Sequence, residues 1–168
     1  MTAPQTLEEF MAQALAMERA AAQRYNDFAD AMETHNNREV AALFRTMAGY
    51  EVKHAQAIME EMNWVDDPLV PAHAWPSVEP PEVVPNDAVH YLMHPWHALQ
   101  LALVAEQRAE AFFDALARVT TSDSVRRAAL ELKAEETEHV ALVRAWMTRF
   151  PKPDDEWAVD PDPPRYTD

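Results

Sequence analysis

The placement of proline divides this chain more sharply than any other feature of its sequence. Six of the thirteen prolines fall within 68–85 and five within 151–164, whereas 5–67 and 96–150 contain none. Because proline disrupts the interior of a helix, the two proline-free stretches are where long helices can form. The chain also has a single glycine, although sheet-rich folds use glycine freely in hairpins and bulges. The sequence therefore predicts an all-α protein.

Each proline-free stretch contains a predicted break near its middle. Polar residues interrupt the first stretch at 34–37 and the second at 120–123, and these residue types favour turns and helix caps. Apolar residues recur at helical spacing on both sides of each break. We therefore predict two helical hairpins joined by a proline-rich crossover at about 64–94, which together form a four-helix bundle with one long connection.

The same division predicts the domain organisation. We expect one helical domain over residues 1–150, long enough to bury a sizeable core, and an acidic, proline-rich tail over 151–168. Two aromatic residues of the tail, Trp157 and Tyr166, are candidates for docking on the bundle or on a neighbouring subunit.

Composition and charge exclude several classes of function. The chain has no cysteine, which removes disulfides, thiolate metal sites and cysteine nucleophiles. Acidic residues outnumber basic ones by 29 to 14, so neither nucleic acid nor a membrane surface is an expected partner. No apolar run approaches the roughly 20 residues that cross a bilayer. Residues 1–10 lack the features of a signal peptide, so we expect a cytoplasmic protein.

Four glutamates and two histidines occupy positions where a core stripe should be apolar. They are in phase with the apolar residues of their predicted helices: Glu18, Glu51, His54, Glu106, Glu136 and His139. An uncompensated carboxylate inside a bundle costs on the order of several kcal/mol, so four of them require bound cations. At ~1.5 Å per helical residue, all six groups lie about 22 to 27 Å from their turns, and hence at nearly one height.

An internal repeat relates the two halves of this set. Two Glu-x-x-His pairs recur 85 residues apart, and the segment 18–25 resembles 106–113. Residues three apart share a helix face, so a carboxylate and an imidazole can converge on one ion. The repeat predicts a pseudo-symmetric dinuclear site in which each metal has one histidine, one terminal glutamate and two shared glutamates. These donors favour iron or manganese, with zinc and copper left open.

These motifs resemble the ferritin-like superfamily, and within it the rubrerythrin type, over about residues 6–150. The proline-led start of the third helix at 95–99 is similar too. The resemblance implies two iron ions on the six residues above, with Glu51 and Glu136 bridging and Tyr25 close to the metals. It also implies a non-haem di-iron oxidoreductase that reduces hydrogen peroxide or dioxygen. A ferroxidase or iron-sequestering protein is the alternative, and a metal-free interaction bundle is a third interpretation.

Three features depart from the patterns of that superfamily. Classical rubrerythrins carry a cysteine-rich rubredoxin domain, so a chain without cysteine is expected to need a separate electron donor, such as a rubredoxin-like protein. The family's extra glutamate after the third-helix ligand is Ala109 here, with Glu110 as a weak candidate replacement. Val52 stands where bacterioferritins place a haem-ligating methionine, so no haem is expected. A homodimer or larger homo-oligomer is expected.

The remaining polar residues have simpler interpretations. Glu135 and Glu138 are predicted to point away from the site, on a solvated helix face. The same solvated character is predicted for Glu8, Glu9, Glu60, Glu61 and Glu131. The cluster of His90, His94 and His97 is interpreted as surface or capping residues rather than a second metal site. Gly49, in the middle of a predicted helix, is interpreted as a place of close helix approach or ligand access.

Overall fold

Four long helices make up most of the residues that the computed structural model describes, 4–70 and 89–162. They are α1 (Leu7–Thr34), α2 (Arg38–Met62), α3 (Pro95–Val119) and α4 (Asp123–Met147). Helix α1 packs mainly against α2, and α3 mainly against α4. The described ranges contain no strand. The predicted all-α fold of two helical hairpins in a four-helix bundle is therefore confirmed.

Local sequence explains where the helices begin. Thr6 Oγ1 accepts a hydrogen bond from the backbone N–H of Glu9 at 3.2 Å and caps α1. Thr6 and Glu9 have the spacing of a capping box, but the Glu9 carboxylate accepts from the backbone N–H of Gln5 (2.9 Å) instead of Thr6, so only one of the two hydrogen bonds of that motif forms. Asn37 and Ser122 cap α2 and α4 in the same way, each accepting a backbone N–H.

Both predicted breaks are confirmed. Helix α1 ends at Thr34 and α2 begins at Arg38, with Asn36 at a φ of 58° between them. Asparagine tolerates this left-handed conformation better than most residues, which allows the chain to reverse sharply. Helix α3 ends at Val119 and α4 begins at Asp123. Each hairpin is thus closed by a connection of only three residues.

The core is split into two apolar clusters by a polar layer in the middle of the bundle. One cluster is centred on Tyr25, Phe44 and Leu99. The other is centred on Phe10, Phe113 and Leu132. Along every helix the buried glutamate lies between residues of the first cluster and residues of the second. Each cluster therefore covers one side of the glutamate layer with apolar side chains.

Part of the C-terminal tail docks on the bundle. The Trp157 ring lies 3.9 Å from the His97 ring, centroid to centroid, and packs against the first apolar cluster. The Tyr91 hydroxyl donates a hydrogen bond of 2.6 Å to Asp160, which attaches the same segment to the end of the crossover. Docking of Trp157 on the bundle is thus confirmed, whereas Tyr166 lies outside the described residues.

Gly49 does not mark a close approach of helices. It is exposed on α2, and a methyl group in place of its hydrogen would meet no atom within 4 Å. The interpretation that Gly49 allows another helix to approach closely is wrong, because Gly49 lies on an exposed face of α2.

None of the four described helices combines the length and the apolar character that crossing a membrane requires.

Candidate metal centre

All four helices contribute side chains to the polar layer. The candidate ligand atoms form three groups within which all distances are at most 4.8 Å: Glu18–Glu51–His54, Glu51–Glu106–His139 and His54–Glu136–His139. Every residue predicted as a ligand belongs to at least one group. The predicted common height of the six side chains is therefore confirmed, while their role as ligands stays a prediction.

The four glutamates are almost completely shielded from water. Their exposed fractions are 0 % for Glu18, 2 % for Glu51, 2 % for Glu106 and 1 % for Glu136. Burial of ionised carboxylates in an apolar bundle is strongly unfavourable unless positive charge compensates it. Carboxylate oxygens and imidazole nitrogens in one dry layer are a suitable donor set for two divalent transition-metal ions, so these residues fit a dinuclear centre.

The Glu106 side of the centre is held by hydrogen bonds. Tyr25, on α1, donates from its buried hydroxyl to Oε1 of Glu106 on α3 at 3.5 Å. The other oxygen of this carboxylate lies 3.2 Å from Nδ1 of His139. The same Nδ1 is 3.7 Å from Oε2 of Glu136. The tyrosine expected near the metals therefore touches a candidate ligand on the helix diagonally across the bundle.

The Glu18 side is more loosely held. Neither carboxylate oxygen of Glu18 accepts a hydrogen bond from a described residue, although both are buried. The nearest ionisable partner is Nδ1 of His54 at 3.6 Å, which is longer than a hydrogen bond. In the sequence repeat, the counterpart of Tyr25 is Phe113, which has no hydroxyl to offer. A cation between Glu18 and His54 would satisfy buried polar atoms that lack such support.

Glu135 lies beside this looser half, so the prediction that it points away from the site is wrong. Its Oε2 is 3.9 Å from Nε2 of His54, and 46 % of its side chain is exposed. Glu135 precedes His139 by four residues, about 40° around the helix at ~100° per residue. The prediction compared Glu135 only with the adjacent Glu136 and overlooked the helix face that Glu135 shares with His139. Glu138 is exposed, as are the five other acidic residues predicted to be solvated.

Burial and neighbouring charges shift the pKa values of this pair. Burial is the largest influence on the pKa of His54 and lowers it. The nearby carboxylates, Glu18 foremost, outweigh burial and hold the pKa above the ordinary histidine value. Burial raises the pKa of the Glu135 carboxyl, and the charge of His54 only partly offsets that effect. Each group therefore titrates under the influence of the other.

Three ring contacts lie at or beside the centre. The rings of His54 and His139 stack at 4.4 Å with only 10° between their planes. Tyr50 lies against His139 at 5.6 Å, and Trp146 lies 6.0 Å from Tyr50. Sequence reasoning missed Tyr50 and Glu135, although each occupies the same position of the repeat, directly before a Glu-x-x-His pair.

Other candidates lie outside the centre. Glu110 accepts a hydrogen bond of 2.7 Å from the Thr137 hydroxyl, and no candidate metal group among the described residues includes it. The interpretation of the histidine cluster as surface or capping residues holds for the start of α3, where Nδ1 of His97 accepts the backbone N–H of the N-cap residue His94. Nδ1 of His90 accepts the backbone N–H of Leu92 within the turn that precedes α3.

Fold and site together define a ferritin-like bundle with a carboxylate- and histidine-rich centre. The chain matches the rubrerythrin family model over residues 9–146 and therefore belongs to the rubrerythrin family. This membership implies a di-iron site. The chain is also similar to a solved structure from Magnetospirillum magnetotacticum MS-1, described as an uncharacterized conserved protein. The two are 36 % identical with a TM-score of 0.66, over 89 % of this chain and 98 % of that one. A search of curated proteins gave no match.

Proposed function

We propose that this protein is a non-haem di-iron oxidoreductase that reduces hydrogen peroxide. The observation that carries the proposal is the convergence of four buried glutamates, one from each helix, with two histidines in a single, largely buried layer. Two bound irons would supply the electron pair that breaks the O–O bond. Reduction of hydrogen peroxide to two waters consumes two electrons and two protons, so a reductant must restore the electrons after each turnover.

The grouping of side chains supports distinct ligand roles. Glu51 lies within reach of both Glu18–His54 and Glu106–His139, which suits a bridging carboxylate. Glu136 is grouped with both histidines and suits the second bridge. Glu18 and Glu106 each belong to one group only, as terminal ligands would.

The surrounding residues support the centre without binding metal. Tyr25 orients Glu106 through its hydroxyl, and its buried O–H is a proton source at a defined position in the layer. The two apolar clusters exclude water above and below, which strengthens electrostatic interactions in the layer and limits side reactions.

The reductant in this proposal is a separate partner. The chain has no cysteine and so cannot hold the thiolate-bound iron that serves classical rubrerythrins. A rubredoxin-like protein or a small-molecule donor would deliver electrons to the bundle, which we propose acts as a homodimer or larger homo-oligomer.

Ferrous-iron oxidation, with or without iron sequestration, is the second candidate. It is favoured by Ala109, which is fully buried where the family's extra glutamate would stand. It is also favoured by the partial exposure of His54, which offers ions a route to the layer. Particle size distinguishes sequestration, because storage requires a large assembly whereas peroxide reduction does not.

Metal analysis followed by rapid mixing tests the proposal. Protein loaded anaerobically with ferrous iron is expected to hold two equivalents per chain, and Glu51→Ala should lose both. The diferrous protein should then oxidise at least about tenfold faster with hydrogen peroxide than with dioxygen. Less than half an equivalent of any transition metal would contradict the metal centre. Faster oxidation by dioxygen, with ferric product released or stored, would replace peroxide reduction by ferroxidase activity.

A further inference from the structure

The two ring nitrogens of His54 face two different carboxylates. Nδ1 is buried and lies 3.6 Å from Oε1 of Glu18, on the side of the candidate ligands. Nε2 lies 3.9 Å from Oε2 of Glu135, on the side of solvent. A cation shared by Glu18 and His54 would therefore bind Nδ1 and leave Nε2 directed at Glu135.

A histidine can ligate a metal through Nδ1 only if the proton of its neutral ring is on Nε2. Metal-binding histidines almost always donate that second N–H to a carboxylate, a carbonyl or water, which fixes the tautomer and the ring orientation. Glu135 is the carboxylate beside Nε2. Its side chain is 46 % exposed, so it is free to cover the short distance that separates 3.9 Å from a hydrogen bond.

We propose that Glu135 is a positioning residue that accepts a hydrogen bond from Nε2 of His54. It thereby holds the Nδ1 lone pair toward the metal position next to Glu18. The inference rests on the proposed dinuclear centre and adds to it a side chain outside the six candidate ligands.

The other half of the centre is built differently. Nδ1 of His139 faces Glu106 at 3.2 Å, and the ring packs against Tyr50. Tyr50 and Glu135 occupy equivalent positions of the repeat, directly before Glu51 and Glu136. One half thus places an aromatic ring, and the other a carboxylate, beside the histidine of the opposite hairpin. Among the described residues, a half-exposed acid lies 3.9 Å from the His54 ring, whereas the His139 ring packs against Tyr50, so the surroundings of the two metal positions are unequal.

Anaerobic calorimetric titration with Fe²⁺ tests the assignment. Glu135→Gln should weaken one of the two binding steps by about 10- to 100-fold and leave the other within about threefold. The matched control is Glu131→Gln, which removes the same charge from an exposed position one turn earlier on α4. The control should leave both steps unchanged.

A spectroscopic measurement separates positioning from a general effect of charge. In the Zn²⁺-loaded, ¹⁵N-histidine-labelled chain, one ring should be coordinated through Nδ1 with a slowly exchanging Nε2–H. That proton should exchange at least about tenfold faster in Glu135→Gln, and at the wild-type rate in Glu131→Gln.

The outcomes distinguish this inference from the proposed function. Wild-type protein that binds fewer than two ions would overturn both. Two ions bound with equal affinity by wild type and Glu135→Gln would overturn the role of Glu135 alone. Equal weakening by Glu135→Gln and Glu131→Gln would also overturn it, since bulk charge would then explain the effect.

Discussion

The two halves of the candidate metal centre contain equivalent candidate ligands but support them differently. On one side, Glu106 receives the Tyr25 hydroxyl and lies 3.2 Å from His139. On the other side, the buried oxygens of Glu18 accept no hydrogen bond from a described residue, and His54 is 3.6 Å away. The first half is organised before any metal binds, whereas the second has unsatisfied polar groups that a cation would satisfy.

The residues responsible for this difference are not ligands. At equivalent positions of the repeat, Tyr25 corresponds to Phe113, and Tyr50 corresponds to Glu135. The internal repeat has therefore kept its ligand pattern while the neighbouring positions diverged. In a pseudo-symmetric site, such divergence is what makes two chemically similar metal positions unequal. The following predictions test that inequality, from the largest expected effect to the smallest.

Acidification should release metal from the looser half. The pKa of His54 is raised above the ordinary value of about 6.5, so protons compete with metal for Nδ1 as pH falls. Below that raised pKa, affinity at this position should fall by about tenfold per pH unit for the one proton displaced. Metal titrations between pH 5.5 and 8 measure the slope, and His54→Gln should flatten it. A slope unaffected by His54→Gln would assign the proton to another group.

In metal-free protein, the same histidine should make the fold more stable, not less, as pH falls. A raised folded-state pKa means that protonated His54 stabilises the metal-free fold below the ordinary pKa, and that this contribution is lost as pH rises through the folded value. Burial raises the pKa of Glu135, so its carboxyl contributes in the same direction. Thermal melts of metal-free protein across the same pH range check the sign, with Glu135→Gln separating the two groups.

Replacing Glu18 or Glu106 by leucine should change the stability of the metal-free protein by unequal amounts. At a pH where His54 is neutral, Glu18→Leu removes a buried carboxyl that accepts no hydrogen bond from a described residue, and should stabilise the fold by about 1–3 kcal/mol. Glu106→Leu also removes the acceptor of the Tyr25 hydroxyl and the neighbour of His139, so its gain should be smaller by about 1 kcal/mol or more. Urea denaturation without metal measures both. Equal effects of the two substitutions would contradict the asymmetry.

Removing one hydroxyl should weaken only the better-organised half. Tyr25→Phe eliminates the hydrogen bond to Glu106 and should cost about 0.5–1.5 kcal/mol of stability. Tyr50→Phe is the control, because Tyr50 contacts His139 through its ring and should keep stability within about 0.5 kcal/mol. A larger loss of stability in Tyr50→Phe than in Tyr25→Phe would contradict the assignment of the supporting hydroxyl to Tyr25.

The smallest effect is expected at Gly49. The repeat places Ala134 at the equivalent position of the second half, and a methyl group at Gly49 would meet no atom within 4 Å. Gly49→Ala should therefore stabilise the protein by about 1 kcal/mol, the difference in helix propensity, and leave metal stoichiometry unchanged. Chemical denaturation and metal analysis check the two parts. A loss of stability or of metal would show that glycine is needed there.

Much of the fold could be predicted because its signals are local. Proline placement indicated the two stretches that form the long helices, and capping residues such as Asn37 and Ser122 set helix starts through hydrogen bonds to nearby backbone. The six candidate ligands were also predictable, because helical rise converts sequence separation into height along the bundle. Gly49 and Glu135 were misjudged for a different reason. Their surroundings depend on which helix face another helix covers.

The sequence by itself determined the helices, the breaks between them and the level at which four acids meet, because helix periodicity and turn chemistry act over a few residues. Only the tertiary structure decided the partners of each acid across the bundle. It joined Tyr25 of α1 to Glu106 of α3 and placed Glu135 of α4 beside His54 of α2. Such contacts depend on how the hairpins rotate and pack against each other, and no local pattern records that rotation.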